Sequence, residues 1–174
     1  SVKVKADLKN TALDFAYLGF VKPLNLNAAA SADVVLLKDK IKSIKNIKLQ
    51  KSGFNIAGGL TMYPNGRVKT VDINQIKGPK TSARAKVSLS DSANPWLKVE
   101  ISGLSYDLSP FFEQIKNKRQ KNDKQLPVQA NDDDGLEKAN NTDIFMTVNS
   151  LWTNNTTPIQ NFAGSAKIRK GIGM

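Results

Sequence analysis

The sequence predicts an all-β chain folded as a curved antiparallel meander sheet, an open groove or partial barrel, with one short helix. Three observations lead there. Apolar and polar residues alternate with a period of two over most of the chain, which sets successive side chains on opposite faces of an extended strand. Turn signals such as Pro64-Asn65-Gly66 and Gly78-Pro79 cut that alternation into pieces of strand length. Only one stretch, opening at Ser109-Pro110, carries the start signals of a helix.

The first strand sets Val2, Val4, Ala6 and Leu8 against Lys3, Lys5, Asp7 and Lys9. A second apolar run, Leu26 to Leu37, puts Ala28, Ala30, Ala32, Val34 and Leu36 in one row, and Lys38-Asp39-Lys40 supplies the turn after it. From Ile41 to Lys51 the alternation falters at Ile44 and resumes with Ile47 and Leu49, the mark of a bulge. Phe54, Ile56, Gly58, Leu60 and Met62 form the next row, and the Asn-Gly turn leads on to Val68, Val71 and Ile73. Beyond Gly78-Pro79, Ala83, Ala85, Val87 and Leu89 oppose Arg84, Lys86 and Ser88. Asp91 to Pro95 turns the chain into Leu97, Val99, Ile101 and Gly103. Up to this point the chain reads as an antiparallel meander.

The helix is expected near 109–118, with Ser109 as N-cap, Pro110 at the first helical position, and Phe111, Phe112 and Ile115 on one side. Residues 116–142, with Asp132-Asp133-Asp134-Gly135 and Asn140-Asn141, have too little apolar content to repay their ordering and read as a flexible polar insertion. Ile144, Met146 and Val148 restart the strand pattern, and Phe162, Gly164, Ala166 and Ile168 form the last row. The expected organisation is a β-groove segment over 1–115, the insertion over 116–142, and the continuation of the sheet over 143–174.

About eight strands at about 4.8 Å spacing span about 38 Å, while a helix of about nine residues reaches about 14 Å. That helix cannot cover the apolar face. The sheet must curl, pack on another copy, or present a groove. A closed barrel or a sandwich with an ordinary core meets the same alternation, and both arrangements stay open at this point.

The 174 residues carry 26 Lys and Arg against 15 Asp and Glu, a formal charge of +11 that favours an anionic partner. The absence of histidine and cysteine excludes a Cys/His zinc site, a histidine base, a cysteine nucleophile and a disulfide. The acidic run at Asp132 lacks the ligand spacing of a calcium loop, and neither a phosphate loop nor a G-x-S-x-G elbow occurs. No catalysis and no cofactor are expected. RNA modules set exposed aromatics beside basic residues, whereas Phe15, Tyr17, Phe20, Trp96 and Trp152 are scattered, which disfavours nucleic acid. No apolar run is long enough to span a bilayer. The chain starts at Ser1 without a leader, so it reads as a processed or excised piece whose targeting segment lies outside it.

Groove-lining candidates for an acyl chain are Ile56, Leu60, Met62, Val87, Leu89, Val99 and Ile101, each methylene removed from water contributing about 0.8 kcal/mol. The same residues serve equally as plain core. Within the series Lys38 to Lys51, Lys42, Lys45 and Lys48 are candidates for an anionic membrane surface. The plain alternative is a solvated lysine row that guards the strands against edge-to-edge pairing.

Ala6-Asp7-Leu8 with Ala12-Leu13-Asp14-Phe15, Leu18-Gly19 and Lys22-Pro23, and Gly59-Leu60 with Pro64-Asn65-Gly66, carry in their order a resemblance to AsmA-like proteins of the YhdP type. It extends to Val99-Glu100-Ile101-Ser102-Gly103-Leu104-Ser105-Tyr106-Asp107-Leu108-Ser109-Pro110 and to Ile159-Gln160-Asn161-Phe162-Ala163-Gly164-Ser165-Ala166, and so covers most of the chain outside 116–142. It implies a bacterial envelope protein that is anchored in the inner membrane by a segment outside this chain, with its bulk in the periplasm. It also implies a repeating β-groove that binds phospholipid and moves it between the envelope membranes, serving outer-membrane biogenesis. The implied partners are phospholipid or another acyl-chain lipid, an anionic membrane surface, and adjacent repeats of the same polypeptide. The chain departs from the family pattern in its polar insertion and in being far too short to bridge two membranes. The alternative is a structural or protein-interaction β-module with no ligand.

Overall fold

A computed structural model describes residues 1–15, 20–92, 95–113, 116 and 141–169. Eleven strands are present among them: β1 (Val2–Asp7), β2 (Leu13–Phe15), β3 (Phe20–Lys22), β4 (Ala28–Leu37), β5 (Lys40–Lys51), β6 (Phe54–Met62), β7 (Val68–Lys77), β8 (Ser82–Leu89), β9 (Trp96–Asp107), β10 (Asn141–Trp152) and β11 (Ile159–Arg169). Nine of them form one sheet in the order β1-β4-β5-β6-β7-β8-β9-β10-β11, and β2 and β3 pair separately. The sheet is a curved, open one, since its two edge strands do not pair with each other. Most of the insertion expected over 116–142 lies outside the described residues, as do Leu18-Gly19 and the end of the chain beyond Arg169. β10 already begins at Asn141.

Local chemistry accounts for the connections. Lys38 and Asp39 both take positive φ, 49° and 60°, and join the Leu37–Lys40 pair as a two-residue hairpin whose twist matches its strands. At the Asn-Gly turn, Gly66 adopts φ 84° and its N–H donates to Tyr63 O at 2.9 Å. The bulge expected near Ile44 is present as a register shift between Ile44 and Ile47, with Asn46 at φ 51°.

Two features depart from the sequence-based expectation. β9 and β10 are parallel, so the sheet is mixed rather than wholly antiparallel. A parallel neighbour needs a long crossover, and residues 108–140 provide the length. The helical turn does start at Ser109, and the described residues 109–113 and 116 are helical; residues 114, 115, 117 and 118 lie outside the description. Ser109 is not its cap, however. Its N–H and hydroxyl both donate to the Asp107 carboxylate, at 2.9 and 2.5 Å, and the first intrahelical bond runs from Phe112 N to Leu108 O.

Register carries the apolar rows intact across the sheet. Leu60, Val71, Val87, Val99 and Ile144 face one another strand by strand, and Val2, Val34 and Ile44 continue the row to the β1 edge. The opposite face is polar. The core occupies the half of the apolar face nearest the 52–53 and 78–81 turns, where Phe54, Ile56, Ile76, Ala85, Tyr106, Met146, Val148 and Leu151 are buried. Tyr106 reaches this side because Leu104 is an extra residue in β9, between the Ala83–Gly103 and Ser82–Ser105 pairs. Its register partner Leu151 shares the cluster.

Candidate functional site

A sheet face that is apolar over nine strands must be covered or left in contact with water, and here it is divided. In the half that holds the core, Leu13 from β2 and Leu108 at the start of the helical turn pack against the buried cluster. The β2–β3 ribbon is held down by Lys22, which is 1 % exposed. Its ammonium donates to the carbonyls of Thr11 at 2.6 Å, Pro23 at 3.1 Å and Lys9 at 3.2 Å. Those three acceptors match the three donors that a lysine brings.

The other half, toward the 38–39 and 64–66 turns, is not sealed among the described residues. Leu60, Met62, Val68, Val71, Val87, Leu89 and Val99 are half-buried, and Leu97 is the buried exception. Around them Leu36 and Ile41 are exposed, at 48 % and 41 %, with Val2, Val4 and Ile168 exposed further out. The turns at this end are tied to one another. Asn65 donates to Asp91 at 2.9 and 3.1 Å, Arg67 pairs with Asp91 at 3.3 Å, and the Tyr63 hydroxyl donates to Leu89 O at 2.9 Å.

All seven groove-lining candidates from the sequence lie on the apolar face, in two settings. Ile56 is a buried core residue, and Ile101 is half-buried and packs against the core. Leu60, Met62, Val87, Leu89 and Val99 form the half-buried patch. Sequence reasoning missed Leu13 and Lys22, because a three-residue strand shows no period and a lysine reads as solvated. The one sign was that Leu13 and Lys22-Pro23 stand among the residues that carry the resemblance.

Lys42, Lys45 and Lys48 are all exposed, and they divide as well. Lys42 and Lys45 line a shallow concavity of about 570 Å³ on the polar face, while Lys48 lines a separate one of about 420 Å³ with Lys5 and Asp7. Lys51, at the sealed end, has its amine held below the ordinary value of 10.5, first by burial and then by the nearby charge of Lys22. Among the described residues no group of three or more acidic, histidine or cysteine side chains is placed to hold a metal ion.

No family model, curated protein or solved structure matches the chain.

Proposed function

We propose that the chain is a non-enzymatic segment of a β-groove that binds an acyl-chain lipid, phospholipid being the first choice, on the unsealed half of its apolar face. The observation that supports this reading is the half-buried patch of Leu60, Met62, Val87, Leu89 and Val99, bordered by exposed Leu36 and Ile41. At about 0.8 kcal/mol per methylene, an acyl chain of modest length laid on such a patch repays its own immobilisation without a polar anchor. In the context given by the AsmA-like resemblance, the segment belongs to a periplasmic conduit anchored in the inner membrane and carries lipid toward the outer membrane.

A second reading, a scaffold or protein-interaction module without ligand, is favoured by a different observation: β1 and β11 leave their outer edges unpaired within the sheet. Organic-solvent extraction of the purified chain followed by mass spectrometry separates the two. The lipid reading expects co-purifying phospholipid that disappears from a Val87→Asp variant which still folds. A clean extract, with no uptake from phospholipid micelles, contradicts it and leaves the scaffold.

A further inference from the structure

We infer that the polar face of the sheet carries a binding site for a phosphate-type oxyanion, built by Lys42, Lys45 and Lys69 over the 570 Å³ concavity between β5, β6 and β7. Most of its lining faces away from the apolar patch, with Ile44, Leu60 and Met62 completing it, and its test with inorganic phosphate is separate from the lipid extraction.

Its geometry comes from irregularities in the strands. In a regular strand two successive side chains point to opposite faces of the sheet. Here Lys42 is the extra residue between the Val35–Ser43 and Leu36–Ile41 pairs, and Lys69 is the extra residue between Thr61–Thr70 and Met62–Val68. An extra residue lets neighbouring side chains share one side of the sheet, and Lys42 with Ser43 and Lys69 with Thr70 line the concavity together with Lys45, Gly59, Thr61 and Asp72. Lys45 sits beside the third irregularity, the Ile44–Ile47 shift. Gly59 leaves the floor clear, and a Cβ there would come within 2.9 Å of Ile44 O.

The charges are disposed for an anion. None of the three ammonium groups is in an ion pair among the described residues, Lys45 faces Asp33 only in register, a carboxylate shared with Lys3, and the Lys69 amine stands 5.6 Å from the centre of the Tyr63 ring. Asp72, the one carboxylate in the lining, faces Lys86 in register, so its charge is answered from the neighbouring strand. Hydroxyl donors are present too. Ser43 is buried, and Thr61 and Thr70 stand 2.7 Å apart, an arrangement that uses one hydroxyl hydrogen and leaves the other for a ligand. Three mobile point charges with hydroxyls beneath them suit a compact dianion with several acceptor oxygens. The volume leaves room for an organic group attached to it.

A free phosphate compound and a membrane head group share this chemistry, and the test separates them. Amide shifts of the full chain are followed as inorganic phosphate is added, and co-sedimentation is measured with phosphatidylglycerol and with phosphatidylcholine vesicles. The site variant is Lys42→Gln with Lys69→Gln, and the control, removing equal charge from the same face, is Lys5→Gln with Lys48→Gln. The expected result is a saturable shift at Gly59, Thr61 and Thr70 whose affinity falls about tenfold or more in the site variant and less than about twofold in the control. If phosphatidylglycerol binding follows the same order, the ligand is a head group; if both variants weaken vesicle binding alike while phosphate discriminates between them, it is a free phosphate compound. Absence of a saturable phosphate shift, or equal loss of phosphate affinity in site and control variants, overturns the proposal in favour of diffuse attraction to a basic face.

Discussion

A lysine ammonium removed from water is costly unless its donors are met, and at Lys22 they are met by three backbone carbonyls. Lys22→Met keeps the stem but leaves those acceptors without their donor, so it is expected to lower the unfolding free energy by about 2–4 kcal/mol in urea titrations. Lys51 works in the opposite sense. Its depressed amine binds fewer protons in the folded chain than in the unfolded one, so stability rises with pH from the folded value up to the unfolded 10.5. Below that window the penalty is fully present. Urea midpoints measured as pH rises toward 10.5 are expected to climb in the parent and to climb less in Lys51→Gln. Neither role could be read from the sequence, where both residues count only as positive charge. Gly66 differs, because Pro64-Asn65-Gly66 is itself a turn signal and the left-handed φ falls on the glycine.

Along the polar face, register sets opposite charges beside one another. Lys3 faces Asp33, which faces Lys45, and Asp72 faces Lys86, which faces Glu100. Each such cross-strand pair contributes about 0.2–1 kcal/mol, and a one-residue slip would exchange the two faces of a strand. Lys86→Glu aligns three carboxylates and is expected to cost about 1–2 kcal/mol, a loss that shrinks when the urea titration is repeated in 1 M salt. On the parallel strand, the buried Asp143 pairs with Arg169 at 2.6 Å, tying β10 to β11, and faces Lys98 and Lys167 in register. Strand positions were legible because alternation marks a half-buried strand directly, and the β5 bulge was legible as a missed beat at Ile44. Alternation carries no direction, so parallel pairing of β10 with β9 was not. Bulges that only re-aim a side chain, as at Lys42, Lys69 and Leu104, leave no sequence mark either.

Across the whole molecule, the shortage of helix raised the question of how an apolar face is covered, and the described residues do not fully cover it. How it divides was hidden in Leu13, Leu108 and Lys22, which seal one half and leave Leu60 and Val87 in the other. Hence the same alternating row holds both core residues, such as Ile56, and open ones. Ala85 and Val87 sit two residues apart on one face of β8, the first 5 % exposed and the second half-buried. The chain has no cysteine of its own, so a thiol placed at either position reports that position alone. The most direct test is the rate of maleimide labelling of Ala85→Cys and Val87→Cys, each with and without phospholipid micelles. The account expects the thiol at position 87 to react about tenfold or more faster than that at 85, and lipid to slow only the former. Equal protection at both positions, or labelling at 87 that lipid leaves unchanged, would contradict it.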